Sequence, residues 1–371
     1  MRPMLRPTLL LLAIGSGPLV AQQDTSTPPA KPYRTRITAL PYATYTPQTK
    51  VQFGVAGGVQ FKWPGARTDP GTRPSYLAAN LAYTTKGQWL TFLENSLYTP
   101  TNRWWLWARV SAGYFPLFYY GVGPRTERAD TNLMKHRYLL LEGKALRRVA
   151  GALSVGPHYR LESFFDVSWQ FPARIAPSLP GGEGGKSSGI GLTAQIDTRN
   201  STTTPMRGHY VVLDYLHQAG WLGSDFAYEQ VAFDARAYVP VRHRRDVIAV
   251  QLYGEWNGAD VPIQSMTRIS DYSTAFIARG VYLGRFRDRN EVMLQVDYRG
   301  HLKGRFGYVV FGSAGNVYGT GGTDLFDDVK YTYGAGLRFN VNPEDPLNLR
   351  VDYTLTSFGE SGLSIGATEA F

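Results

Sequence analysis

Catalysis and tight ligand binding need nucleophiles, bases, metal ligands or charged clamps at workable spacing, and this 371-residue sequence offers few such sets. The run Gly181-Gly182-Glu183-Gly184-Gly185-Lys186-Ser187 holds the glycines, lysine and serine of a phosphate cradle. Pro180, however, stands where the first glycine of that cradle belongs, and no helical pattern follows to aim an N-terminus at an anion. The overlapping Gly185-Lys186-Ser187-Ser188-Gly189 spells a hydrolase nucleophile elbow but lacks the strand–turn–helix context that such an elbow depends on. The histidines at 136, 158, 209, 217, 243 and 301 show no metal-ligand spacing. His209 and His217 on one strand would lie ~26 Å apart, too far to share an ion. Cysteine is absent, which excludes disulfides, thiolate metal sites and cysteine nucleophiles. The expectation is therefore no catalytic residue, no metal and no cofactor, with an outer-membrane hydrolase kept only as a weak alternative. What remains is arginine: Arg279, Arg285, Arg287 and Arg289 crowd the stretch Arg279–Asn290, just ahead of a regular strand pattern.

The elements that must position these arginines are strands. Leu294, Val296 and Tyr298 alternate with Gln295, Asp297 and Arg299. Leu347, Leu349, Val351 and Tyr353 alternate with Asn348, Arg350, Asp352 and Thr354, and Leu161, Phe165, Val167 and Trp169 oppose Arg160, Glu162, Asp166 and Ser168. Successive side chains of a strand point to opposite faces, so each segment carries one apolar and one polar face. A soluble sandwich shows the same alternation. Charges in mid-strand, aromatics clustered near segment ends (Trp104, Trp105, Phe118, Tyr119, Tyr120) and 40 glycines favour a membrane barrel with an interfacial girdle. The fold class expected is all-β: a transmembrane antiparallel barrel of about sixteen strands. These are placed at 38–47, 50–63, 74–87, 88–100, 103–118, 134–150, 152–170, 186–199, 207–219, 224–242, 244–258, 289–302, 304–318, 328–341, 346–358 and 361–371. Longer connections near 119–133, 171–185, 259–288 and 319–327 all follow odd-numbered strands and would be extracellular, whereas 64–73 is long for a periplasmic turn.

The first residues set the compartment. Arg2 and Arg6, the apolar run Leu9–Ile14 and the small residues before Gln22 read as a signal peptide over 1–21, with Gly15-Ser16-Gly17-Pro18 ending the run too early for a spanning helix. Residues 22–36 are polar and Pro-rich and read as a disordered periplasmic lead-in, leaving 37–371 as the barrel. A mean hydropathy of −0.25 is compatible with a membrane protein whose strands turn every second residue to a polar lumen. The formal charge of +10 is scattered along alternating strands, so it suits a lumen or anionic lipid and lipopolysaccharide rather than nucleic acid.

Arg279-Gly280-Val281-Tyr282-Leu283-Gly284-Arg285-Phe286 resembles the sixth extracellular loop of the BamA/TamA-type outer-membrane assembly barrels, the bacterial surface antigen family. Asp297-Tyr298-Arg299, then Phe311-Gly312-Ser313-Ala314-Gly315, then Gly334-Ala335-Gly336-Leu337-Arg338 are similar to strand signatures of that family and follow in its order. Asp197-Thr198-Arg199 with Pro205-Met206-Arg207-Gly208 is similar to its periplasmic-turn signature, so the resemblance covers about residues 190–371. It implies an extracellular loop folded into the lumen, with Arg279 held by carboxylates on the wall. Ser313 stands where the family carries an aspartate, leaving Asp297 or another lumen acid to pair with Arg279, and Tyr282 takes the packing role of the aromatic that Val281 replaces. Phe371 would be the insertion signal of the last strand. The implied function is assistance in inserting or translocating envelope proteins. Client outer-membrane or surface proteins and a separate periplasmic partner are expected, since about fifteen residues before the first strand leave no room for the family's periplasmic modules. A weak seam is expected between the first and last strands, because Gly362 and Gly366 soften pairing. A non-specific pore or structural barrel without transport is the alternative.

Overall fold

The computed structural model describes residues 32–371 apart from 177, 202–203, 242–245, 271–276 and 342–347. The expected signal peptide and most of the lead-in therefore lie outside the described residues. The lead-in's last residues are tied down: Tyr33 N donates to Arg67 O at 2.9 Å.

Sixteen antiparallel strands form one closed sheet. They are β1 (Arg36–Thr46), β2 (Lys50–Phe61), β3 (Ser75–Thr84), β4 (Trp89–Tyr98), β5 (Trp104–Tyr114), β6 (Asn132–Ala150), β7 (Leu153–Trp169) and β8 (Gly185–Asp197). The second half comprises β9 (Gly208–Gln218), β10 (Tyr228–Val241), β11 (Asp246–Asn257), β12 (Asn290–His301), β13 (Phe306–Tyr318), β14 (Lys330–Asn340), β15 (Asn348–Thr356) and β16 (Ser361–Ala367). The ladder of β5 resumes at Leu117–Tyr119. Each strand pairs with the next in sequence and β16 returns to β1. Among the described residues no helix is long and apolar enough to cross a membrane; strands cross it, and ring closure satisfies their backbone groups in lipid. All sixteen expected strands are present, with limits within about four residues of those expected.

Alternation sets the two faces. Gln295, Asp297, Arg350 and Asp352 are buried inward, whereas Leu294, Val296, Val351 and Tyr353 are exposed on the outer wall. In β7 the alternation breaks. Asp166 takes φ +53°, the β6–β7 register shifts between Lys135 and Arg137, and Asp166 emerges on the outside against Arg137 Nη1 at 2.9 Å. A bulge inserts one residue and flips the phase beyond it, so Asp166 is not the lumen residue that the pattern suggested. The aromatic girdle needs a similar correction. Trp104 is exposed on the outer wall, but Trp105 donates to Ser96 Oγ at 2.7 Å on the inner wall, Phe118 packs on Tyr282 and Tyr120 is buried under Arg285.

Connections after odd-numbered strands share one rim and include the long segments 120–131, 170–184, 219–227, 258–289 and 319–329. Long loops mark the extracellular rim and short turns the periplasmic one. Two connections on the short rim are longer, 62–74 and 198–207; in the first, Lys62 Nζ donates to Asp69 O at 2.7 Å, and Arg73 reaches Asp197 at the end of β8, 3.5 Å away.

The ring closes poorly at one place. Every other neighbouring pair of strands shares seven or more residue pairings, whereas β1 and β16 share one, Tyr45 with Ile365. The last strand was expected to run to Phe371, but it stops at Ala367. Leu363 and Ile365 face lipid, so continuing the alternation would place the Glu369 carboxylate there too, at a cost. The chain instead turns at Thr368 (φ +64°) and carries both Glu369 and Phe371 inward.

Candidate functional site

The extracellular segment 258–289 folds into the barrel. Val261, Ile263, Ile269, Ile277, Val281 and Phe286 are buried, and a two-residue ribbon, Thr267–Arg268 against Arg287–Asp288, ties its neck. Asp288 Oδ1 accepts from Thr320 N at 2.9 Å, pinning the neck to the β13–β14 loop. At the loop's tip Ala278 and Gly280 both have positive φ, +49° and +84°. Left-handed backbone at a non-glycine residue costs about 1–3 kcal/mol. Packing and charge around Arg279 hold it there.

Arg279 is almost fully buried and meets three strands of the wall. Its Nη2 is paired with Asp297 Oδ1 of β12, its Nη1 lies 3.5 Å from Asp352 Oδ2 of β15, and its guanidinium sits 4.0 Å above the Phe311 ring of β13. Asp352 is the hub. It also accepts from Arg338 Nη1 at 2.6 Å and from Arg350 Nη1 at 3.0 Å. Asp297 binds Arg299 Nη2 at 3.2 Å, and Arg338 Nε donates to Glu369 at 2.9 Å. Four guanidinium groups and three carboxylates thus form one buried network, in which each charge has an opposite partner as a low-dielectric lumen requires.

The motif glycines make room for it. A Cβ on Gly334 would overlap the Phe311 ring, one on Gly336 would overlap Asp352 Oδ1, and one on Gly315 would overlap Met293. Gly280 lies backbone to backbone against Gly362 of β16, where a Cβ would strike the Gly280 carbonyl. Gly362 was expected to weaken strand pairing; it serves the approach of the loop.

Ser313 takes no part in holding Arg279; its Oγ pairs with Thr332 Oγ1 at 2.5 Å, and the carboxylates come from Asp297 and Asp352. Tyr282 lies away from the hub. Its ring packs on Phe118 and Tyr120 and its Oη accepts from Phe118 N at 3.2 Å, while Val281 joins the loop's apolar core. Arg285 clamps the outer rim, through Glu360 at 3.0 Å and Thr126 Oγ1 at 2.9 Å. The sequence reading missed Asp352, Glu360 and Glu369 as partners. Asp352 was visible as a carboxylate on the polar face beside Arg350, and Glu369 as a carboxylate on a lipid-facing parity.

The glycine-rich run 181–185 is packing, since Gln264 Nε2 donates to Gly181 O at 2.6 Å and Ile263 N to Pro180 O at 2.9 Å. Among the described residues no group of three or more His, Asp or Glu could hold a metal ion.

No family model matches the sequence, and no curated protein matches it. Solved structures do. The barrel of BamA from Haemophilus ducreyi, in a form lacking POTRA domains 1–3, superposes with a TM-score of 0.59 at 14% identity, over 90% of this chain and 70% of that one. CdiB from Acinetobacter baumannii and CdiB from Escherichia coli each give a TM-score of 0.56 at 11% identity over 90% of this chain. This chain has the fold of the BamA and CdiB barrels. It spans 59% and 62% of the two CdiB chains. With its closed ring and apolar outer wall, it is a barrel of the bacterial outer membrane.

Proposed function

We propose that this barrel assists insertion or translocation of other envelope proteins, acting at the β1–β16 seam without catalysing a reaction. The seam itself is the observation that carries the reading. One pairing holds it, and the edge of β1 from Ile37 to Ala43 has no strand partner beyond β2 among the described residues. Unpaired edge backbone is costly in lipid and templates another strand. The clients would be outer-membrane or surface proteins, delivered by a separate periplasmic partner. Support also comes from the shared fold and from the loop whose Gly280 rests directly behind β16.

The test uses the absence of native cysteine. Tyr45→Cys with Ile365→Cys places two thiols at the single paired position, so oxidation locks the seam. Quantitative envelope proteomics on cells carrying the locked barrel is expected to show selective loss of particular outer-membrane proteins, reversed by reductant. Normal assembly through a locked seam would refute the seam route. An unchanged proteome after depletion of the whole protein would refute transport and leave the second reading, a structural barrel, which the filled lumen favours.

A further inference from the structure

The residues that follow β16 sit in the lumen as a bound peptide would. Thr368 N donates to Asn348 O at 2.7 Å as the chain turns inward. Glu369 accepts from Arg338 Nε at 2.9 Å and from Asn348 Nδ2 at 2.7 Å, with Arg299 Nε 3.9 Å away. The Phe371 ring lies 4.8 Å from the Arg299 guanidinium and 6.3 Å from the Tyr238 ring, and Arg299 Nη2 donates to Phe371 O at 2.9 Å. Every group that receives the segment belongs to β10, β12, β14 or β15. The site exists independently of the strand that delivers its occupant.

Two features mark it as a binding pocket rather than ordinary packing. Arg299 Nη1 and Tyr238 Oη, both beside Phe371, are buried without a hydrogen-bond partner among the described residues. Buried polar atoms are nearly always satisfied, so two open ones around a peptide backbone leave capacity for a ligand that seats differently. The pocket also lies at the periplasmic end of the lumen, between the ends of β10, β12 and β14, where Met206 of the β8–β9 turn packs against the same cluster.

We propose that this pocket binds a segment of another polypeptide carrying a carboxylate side chain two residues before an aromatic ring, with Thr368–Phe371 as its resident intramolecular occupant. Arg338 and Asn348 read the carboxylate, and Tyr238 and Arg299 read the ring. A tethered occupant acts at millimolar effective concentration, so an incoming segment binds weakly until the resident leaves. This holds whether or not the seam passes clients.

The experiment is fluorescence anisotropy on purified barrel in detergent, with a labelled peptide of residues 366–371, Gly-Ala-Thr-Glu-Ala-Phe, as probe. A chain ending at Ala367 is expected to bind it saturably, at least about tenfold more tightly than the full chain does. Replacing the peptide's Phe by Ala or its Glu by Gln, or Arg299→Ala in the shortened barrel, is expected to weaken binding about tenfold or more. If the shortened chain does not give a heat-modifiable barrel, full-length Phe371→Ala serves instead and is expected to bind the probe more tightly than the unaltered chain. A folded, vacated barrel that shows no saturable binding, or binding indifferent to the peptide's Phe and Glu, overturns the proposal.

Discussion

Asp352 accepts from three guanidinium groups, and Arg279 is the one of the three that comes from a loop instead of the wall. Loss of Arg279 would leave Asp297 to Arg299 and Asp352 to Arg338 and Arg350, strip the stacking partner from Phe311, release the left-handed turn at Ala278 and cut the loop's ion pairs to the wall. Arg285 ties the loop only at the rim, away from the three-strand hub, and its partner Glu360 also binds the exposed Arg128 Nε at 2.9 Å. Arg279→Ala is therefore expected to reduce the heat-modifiable, folded fraction on gels clearly more than Arg285→Ala. Equal losses would mean that the hub has no special weight. Glu369, beyond the end of the last strand, gives a pH prediction. Burial opposes its ionisation, but Arg338 and Arg299 beside it bring its carboxyl down to about 2 from the ordinary 4.5. A depressed carboxylate stabilises the fold above its unfolded pKa, and that contribution is lost as pH falls through the folded one. Thermal unfolding of the purified barrel between pH 5 and about 2 is expected to show a loss of stability that Glu369→Gln makes smaller. An identical pH profile in the variant would refute the assignment.

At the scale of elements, the plug decides permeability. The described residues of segment 258–289 carry buried apolar side chains into the lumen, and its neck is bonded to its surroundings at Asp288. The intact barrel is expected to show low conductance in planar bilayers, and deletion of 277–288 to raise it severalfold. A wide, steady conductance in the unaltered protein would favour the pore reading. The strands themselves were legible because lipid on one side and a polar lumen on the other enforce a strict period of two, as in Leu294 to Arg299. Legibility failed where local backbone overrode the period. The positive φ at Asp166 and Thr368 changes the phase with no local turn signature, and the inward turn of Trp105 depends on a partner, Ser96, one strand away. The site was legible in part. Spacing drew attention to Arg279 and Asp297, but Asp352 and Glu360 lie on elements whose register to the loop no linear pattern carries.

For the whole molecule, the wall is continuous through fifteen junctions and nearly broken at the sixteenth. The long hairpin of β6 and β7, 19 and 17 residues, exceeds the roughly 9–11 that a tilted crossing needs, while β16 with seven falls short of it. Height is thus distributed unevenly around the ring, greatest at the β6–β7 hairpin and least at β16, one of the two strands of the seam.

The inward turn at Thr368 also makes the barrel mechanically lopsided. A tether attached at Phe371 and drawn away from the membrane loads the Phe371–Arg299 and Glu369–Arg338 contacts first, because the residues beyond Ala367 hold to side chains of the lumen ahead of the β15–β16 ladder. Only after those contacts part does tension reach the seven-residue ladder between β15 and β16. Extraction by a cantilever tip should accordingly register a small early rupture ahead of the regular train of hairpin peaks. Glu369→Gln should diminish that first event and leave the later ones in place.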